Sequence, residues 1–265
     1  MLAGPSVMGI INVTPDSFFP SSRVVNEGAI ARGLEMFEQG ADIVDVGGES
    51  TRPGATEVSV AEELTRVSEV VRALSLRGPV SIDTSKPEVA RAAVSAGAVV
   101  INDVSATLDT LAGELGVGYV AMHRQGDSRT MQINPHYDDV VAEVEEFLLK
   151  VAARAQAAGV RQLWLDPGIG FGKNTEHNVD LLAATPRLAA AAQACGAGLL
   201  VGTSRKRFLG EISGDALEVD ERFESSLASA AYTLLQGATM VRVHDVLAAV
   251  QLRELILRPT EEVIT

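Results

Sequence analysis

The sequence has a single cysteine, few aromatic residues and a deficit of positive charge. One cysteine, Cys195, excludes an internal disulfide and is typical of a reducing compartment, so we expect a cytoplasmic protein. Lys and Arg number 22 against 35 Asp and Glu, and the net charge of −13 argues against a nucleic-acid or anionic-membrane partner. Any anionic substrate must therefore meet locally concentrated positive charge.

Long apolar runs, linkers and internal repeats are absent as well. No segment approaches the length that spans a membrane, and the first residues lack the basic region of a secretory signal. Hydrophobic residues nevertheless make up 46% of the 265 residues, which is enough to bury a large core. We expect a single domain over residues 1–265.

Short apolar segments of strand length recur along the chain and alternate with longer amphipathic segments. Runs rich in Val and Ile, apolar on both faces, are typical of parallel strands that are covered on both sides. About eight such runs are present, and each ends at or contains a polar residue. These residues are Asn12, Asp45, Asp83, Asn102, His123, Asp166, Ser204 and His244.

The intervening segments are predicted to be helices, because apolar residues recur at three- and four-residue spacing, as at Val140, Val144 and Phe147. Alternating strands and helices over this length predict an α/β protein, specifically a (β/α)₈ TIM barrel with its active site at the carboxyl ends of the strands. A doubly wound open sheet would show the same alternation. We favour the barrel because polar residues end nearly every strand, whereas an open sheet would need them mainly at its switch point.

The polar strand ends fall into two chemical groups. Acceptors and amides at Asp45, Asp83, Asn102 and Asp166 suit a ligand with paired N–H donors, such as an aminopyrimidine edge. Cationic residues form the second group, and their donors suit a phosphate. That group consists of Arg52, Lys206, Arg242 and His244.

Each group also has a structural interpretation. Asp45 and Asp83 could cap loops or pair with a neighbouring cation, and His123 is expected to be a core histidine. Arg242 and His244 alternate along one strand and therefore share a face. Two cations inside a barrel without an anion would be costly, so we interpret both as ligand-binding.

Several long motifs, in a fixed order, resemble those of the dihydropteroate synthase family from Met8 to about Val250. They are MGIINVTPDSF, DIVDVGGESTRPGA, SIDTSKPEVA, INDVSA, TMQ, LDPGIGFGKN, TSRKRFLG and VRVHDV. The resemblance implies a TIM-barrel transferase that joins 6-hydroxymethyl-7,8-dihydropterin diphosphate to 4-aminobenzoate. The products would be 7,8-dihydropteroate, for folate synthesis, and pyrophosphate.

The resemblance also implies a role for individual residues. The pterin ring would be held by Asp83, Asn102, Asp166 and Lys206, with Met122 packed near it. The diphosphate would be held by Arg242, His244 and Arg52, together with Mg²⁺ on Asn12. Thr51, Phe171 and the helix start after Ser204 would contribute to the substrate and 4-aminobenzoate sites. Family barrels often pair through outer helices, which implies a homodimer.

The sequence departs from the family pattern in three places. Phe19–Arg23 replaces the usual Ser-Asp-Gly-Gly of the first loop and resembles the loop of sulfonamide-resistant relatives, which leaves drug sensitivity open. Arg124 and Ser128 replace a Met and a Pro, and Arg207 stands where many members have Ser. Arg207 either strengthens binding of the 4-aminobenzoate carboxylate or faces solvent.

Three other activities are compatible with parts of this pattern. A corrinoid-linked methyltransferase would share the ring-binding acidic residues but would not need Arg242 and His244. A Schiff-base aldolase would use Lys206 as a nucleophile with a lowered pKa. A non-catalytic pterin-binding paralogue would keep ring binding while the altered first loop abolished turnover.

Overall fold

A computed structural model describes residues 4–14, 22–50, 57–127, 129–212, 214 and 217–257, with the side chains of residues 22–24 excepted. Residues 19–21 of the first loop, Thr51, Arg52 and Ser128 lie outside the described residues, whereas the backbone of Ser22 and Arg23 is described. Within the described part of the chain, no helix is both long and apolar enough to cross a membrane.

Eight parallel strands form a closed barrel in chain order, in which β1 pairs with both β2 and β8. Closure confirms the TIM barrel and excludes the open sheet. The strands are β1 (Ser6–Asn12), β2 (Ile43–Gly47), β3 (Val80–Asp83), β4 (Val100–Asp103), β5 (Gly118–Met122), β6 (Leu163–Asp166), β7 (Gly198–Val201) and β8 (Met240–Val243).

Helices cover the outside of the barrel. Two helices, rather than one, lie between β6 and β7, and another two lie between β7 and β8. The helices are α1 (Ser22–Glu38), α2 (Val60–Ser75), α3 (Pro87–Ser95), α4 (Asp109–Leu115), α5 (Val140–Ala157), α6 (Thr175–Ala183), α7 (Thr185–Ala194), α8 (Phe208–Glu211), α9 (Phe223–Leu235) and α10 (Val246–Leu257). A 3₁₀ turn, Val219–Arg222, precedes α9.

Local signals define where the longer helices begin. Asp139 caps α5 by accepting a hydrogen bond from the backbone N–H of Ala142 at 2.9 Å, and Asn174 caps α6 in the same way. The end of α4 depends on Gly116, whose φ of 67° is unfavourable for other residues. These caps turn the chain sharply between strand and helix.

The core has two parts. The larger part packs the outward faces of the strands against the helices. A separate cluster of seven buried apolar side chains fills the lumen, and its members are Met8, Ile43, Val100, Val120, Trp164, Leu200 and Met240. This lumen floor closes the barrel, so that a ligand can bind only above it, at the strand ends.

Candidate active site at the carboxyl ends of the strands

Polar side chains lie directly above the lumen floor. Side chains two residues apart share a strand face, so four floor residues are each followed by a polar residue that also faces the lumen. The resulting pairs are Ile43 and Asp45, Val100 and Asn102, Trp164 and Asp166, and Met240 and Arg242. Asp83 reaches the same level from β3, where it lies beside Asn102 in the register.

Arg242 lies at the centre of a network across four strands that we call the arginine cluster, made of Arg242, Asp45, Asp83 and Asn102. Its Nε donates to Asp45 Oδ2 and its Nη2 donates to Asp83 Oδ2, both at 2.7 Å. Asn102 Nδ2 donates to the same Asp45 oxygen at 2.8 Å. The argument that Arg242 lacks an anion within the chain is therefore wrong, since the fold supplies two carboxylates.

The second oxygen of each carboxylate remains unused. Oδ1 of Asp45 and Oδ1 of Asp83 are buried and accept no hydrogen bond from any described residue. Burial raises the pKa of Asp83 to about 7, with Asp45 contributing in the same direction and Arg242 opposing both. Buried acceptors without donors are costly, so this side of the mouth favours a ligand that brings N–H groups.

A second network, the lysine cluster, consists of Lys206, Lys173, Asp166 and His123. Lys206 Nζ donates to the backbone carbonyl of Ile169 and lies 4.7 Å from the centre of the Phe171 ring. Burial lowers the pKa of Lys206 to about 8, although Asp166 opposes the shift. Burial likewise raises the pKa of Asp166, although Lys206 opposes it. Within the described residues, neither lysine of this cluster forms an ion pair with a carboxylate.

Lys173 is the residue of this cluster that the sequence analysis missed. Its side chain is 2% exposed, and its Nζ lies 2.9 Å from Nδ1 of His123. Burial lowers the pKa of His123 to about 3, which leaves the ring neutral. The interpretation of His123 as a core histidine agrees with this buried pair. A lysine that follows three closely spaced glycines was the available signal.

His244 lies just beyond the end of β8, where its Nδ1 is 3.0 Å from the hydroxyl of Ser204. The same hydroxyl accepts the backbone N–H of His244 at 3.2 Å. Ser204 thus connects the β7–α8 loop to the end of β8. The ion pair of Arg205 with Asp245, at 2.8 Å, strengthens this connection.

The remaining predicted site residues surround these two clusters. Met122 is buried at the end of β5 beside Asp166, and Asn12 is exposed at the end of β1. The helix that follows Ser204, α8, begins at Phe208 and has four residues. So short a helix offers a carboxylate little dipole. Arg207 is 87% exposed and pairs with Glu211.

Comparison with known proteins agrees with this geometry. The model of the family described as pterin binding enzyme matches residues 8–244. A dihydropteroate synthase of Escherichia coli (strain K12) is 46% identical over 261 residues, which cover 94% of this chain and 90% of the relative. The chain belongs to the dihydropteroate synthase family.

Two solved structures of the Xanthomonas albilineans dihydropteroate synthase support the same assignment. One, with 4-aminobenzoic acid, is 46% identical, has a TM-score of 0.86, and matches over 97% of this chain and 94% of its own. The other, in complex with 7,8-dihydropteroate, is 43% identical, with a TM-score of 0.84 and coverage of 98% and 96%. The expected transferase of folate synthesis is thus confirmed, and the three alternative activities are not supported.

Proposed function

We propose that the arginine and lysine clusters together form the site at which this chain makes 7,8-dihydropteroate from a dihydropterin diphosphate and 4-aminobenzoate. The observation that carries this proposal is the pair of buried, unpartnered carboxylate oxygens on Asp45 and Asp83. An aminopyrimidine edge presents adjacent N–H donors, which match these acceptors. The Xanthomonas albilineans relatives bind 4-aminobenzoic acid and 7,8-dihydropteroate.

The pterin ring would lie between the two clusters. Asp83 and Asp166 accept from its N–H groups, Asn102 can both donate and accept, and Lys206 donates to a ring acceptor. Met122 packs against one face of the ring. Since the ring satisfies acceptors that the fold leaves unpaired, its binding also offsets the cost of burying them.

The diphosphate would lie at the rim, above the arginine cluster. Arg242 uses Nε and Nη2 for its two aspartates, and its Nη1 donates to no other described residue. That nitrogen is available to a phosphate oxygen, and we assign the same role to His244 and Arg52. Arg242 thereby connects the ring site with the diphosphate site.

Mg²⁺ fits this site as an ion carried by the diphosphate. The described residues contain no cluster of three His, Cys, Asp or Glu side chains that could hold a metal alone. Mg²⁺ typically uses substrate phosphates, waters and one or two protein oxygens, so the amide oxygen of Asn12 is a sufficient protein ligand. The ion would neutralise charge on the leaving group.

The condensation does not require a strong general acid or base from the protein. Cleavage of the bond between the exocyclic methylene and the diphosphate oxygen leaves a cation, which the dihydropterin ring delocalises. Asp166 stabilises that cation, while Arg242, His244 and Arg52 stabilise the growing charge on pyrophosphate. The neutral arylamine of 4-aminobenzoate forms the new C–N bond and releases its proton to pyrophosphate or water.

The 4-aminobenzoate site would include Phe171 and Thr51. Phe171 lies beside Lys206, so its ring can pack against the arene while the amine faces the methylene carbon. A substrate that depends on the first loop and on the segment holding Thr51 and Arg52 should bind after the diphosphate. We expect 4-aminobenzoate to bind weakly until pyrophosphate and Mg²⁺ are present.

We also propose that the protein is cytoplasmic and forms a homodimer through its outer helices. Large apolar side chains on α9 and α10 are exposed, among them Leu235 at 66% and Leu255 at 70%. Burying such residues against a second copy would be favourable. Sedimentation equilibrium, with Leu235→Glu as the disrupting variant, measures the association.

The decisive experiment is a pyrophosphate-release assay with the dihydropterin diphosphate and Mg²⁺, run with and without 4-aminobenzoate. We expect rapid release only when both substrates are present, together with formation of 7,8-dihydropteroate. Ring binding without turnover would identify a non-catalytic paralogue. No binding of either substrate would refute the proposed site.

A further inference from the structure

The side chain of Lys173 is buried below the mouth of the barrel and uses all three of its donors. Nζ donates to the carbonyls of Gly168 and Phe171, both at 3.0 Å, and lies 2.9 Å from Nδ1 of His123, to which the ammonium donates when His123 carries its proton on Nε2. Because His123 is neutral, all three partners are uncharged acceptors. The ammonium therefore binds backbone and ring lone pairs much as a small bound cation would.

A second lysine shows that this arrangement is unusual. Lys86 is partly buried, and it forms ion pairs with Glu49 and Glu63. Lys173 forms no ion pair with a carboxylate of the described residues, and burial lowers its pKa to about 7. Burying an ammonium without a carboxylate is costly, which is why the pKa falls, and the three neutral acceptors offset that cost when Lys173 is protonated.

The backbone around Lys173 has a conformation that few sequences can adopt. Gly168 and Gly172 have φ values of 66° and 64°, in the left-handed region. A Cβ on Gly168 would lie 1.8 Å from the carbonyl oxygen of His123, and one on Gly172 would lie 2.3 Å from that of Gln125. The loop between β6 and α6 therefore packs closely against the loop after β5, and the side chain of Lys173 lies between them.

The same loop carries the contacts that place the ring-binding residues. The backbone N–H of Gly168 donates to Asp166 Oδ1 at 2.8 Å. The carbonyl of Ile169 accepts from Lys206, and the ring of Phe171 lies under its ammonium. Two of the three partners of Lys173 are carbonyls of this same loop, at Gly168 and Phe171 on either side of Ile169 and Gly170.

We propose that Lys173 is a positioning residue for the pterin site, which acts by binding the carbonyls of the β6–α6 loop and so orienting Asp166 and Lys206. It touches neither substrate. This inference rests on the proposed function, because it assigns Lys173 to the ring site described above. It predicts that the ring, and not the diphosphate, depends on this lysine.

The test compares two variants. Lys173→Met roughly preserves the length of the side chain but removes its hydrogen-bond donors, whereas Lys173→Gln keeps an amide donor. Lys150→Met, on the exposed face of α5, is the matched control. A diphosphate-free dihydropterin and Mg²⁺-pyrophosphate are titrated separately by calorimetry, well below each variant's melting temperature. The ¹⁵N shift of His123 Nδ1 reports loss of the hydrogen bond.

We expect Lys173→Met to weaken dihydropterin binding about 10- to 100-fold, because the loop no longer places its contacts correctly. Lys173→Gln should recover part of this loss, and pyrophosphate binding should stay within about 2-fold of wild type. Equal weakening of both ligands, or unchanged dihydropterin binding with a shifted His123 signal, would overturn the inference. If Lys173→Met does not fold, the same comparison between Lys173→Gln and wild type decides. Failure of the wild type itself to bind dihydropterin would instead refute the proposed function.

Discussion

Buried charge is compensated by different partners on the two sides of the barrel mouth. In the arginine cluster one cation faces two carboxylates and pairs with both through a planar fork. In the lysine cluster two cations accompany one carboxylate, and both bind backbone carbonyls. Arginine can bridge two acids at fixed angles, whereas the compact ammonium of lysine can bind carbonyl oxygens at a loop.

The difference extends to what holds each cluster in place. All members of the arginine cluster lie on strands, so the barrel register sets their positions. The lysine cluster depends on the β6–α6 loop and the loop after β7. We therefore expect changes in the arginine cluster to affect stability and activity together. Changes in the lysine cluster should affect mainly ligand binding.

The largest effect is expected for Arg242→Ala, which removes the partner of Asp45 and Asp83. Leaving two buried carboxylates unpaired should lower the free energy of unfolding by about 3–5 kcal/mol, measured by urea denaturation. Activity should fall with it, by about 2–4 kcal/mol in the barrier. Unchanged stability would show that the two ion pairs are not significant in solution.

The pH dependence of the free energy of unfolding is a control for the stability effect of Arg242→Ala. The pKa of Asp83 in the folded chain, about 7, lies above its ordinary value of 3.8, so the folded state binds the extra proton between these values. The contribution of Asp83 to stability is therefore present at low pH and is lost as pH rises from about 4 to 7. Without Arg242, which lowers the pKa of Asp83, this fall should extend to higher pH, and Asp83→Asn should abolish it.

A smaller effect is expected for Asp166→Asn, which keeps the shape of the side chain but removes its charge. The amide is a poorer partner for ring N–H donors, so dihydropterin affinity should fall by about 1–3 kcal/mol in calorimetry. The melting temperature should change little, because Asp166 forms no ion pair with a described residue. Equal affinity for the variant and wild type would remove Asp166 from the ring site.

Alkaline pH should separate binding from stability at Lys206. Because its folded pKa, about 8, lies below the ordinary 10.5, the folded chain loses this proton first. Dihydropterin binding should weaken above about pH 8, while the contribution of this group to the free energy of unfolding rises between about pH 8 and 10.5. Lys206→Arg should shift the loss of binding to higher pH, and a binding profile that is flat across this range would contradict the role.

The smallest effect is expected for Arg207→Ser, which lies outside both clusters. Arg207 is largely exposed and pairs with Glu211 at 2.6 Å on the same helical turn. Exposed pairs of this kind contribute roughly 0–1 kcal/mol, so affinity for 4-aminobenzoate should change less than about 2-fold. A larger loss would show that Arg207 binds the substrate carboxylate.

The strand ends illustrate how far pattern alone could reach. Period-two alternation places Asp45 with Ile43, and Arg242 with Met240, on the lumen face. This does not depend on the helices, so acidic and basic side chains at the barrel mouth were predictable from the sequence. The number of helices was not. The pairs between β6 and β7 and between β7 and β8 depend on breaks such as Ala184, where propensity is a weak guide.

By itself, the sequence determined the barrel, its polar mouth and the family, because periodicity and long motifs are properties of neighbouring residues. Only the tertiary structure decided the partners. Arg242 meets Asp45 across 197 positions of sequence, and Lys173 meets His123 across 50. Such pairs form when barrel closure brings distant strands together and when glycines with positive φ allow two loops to pack closely. No local pattern encodes those distances, so the charge balance of the site emerges only when the barrel closes.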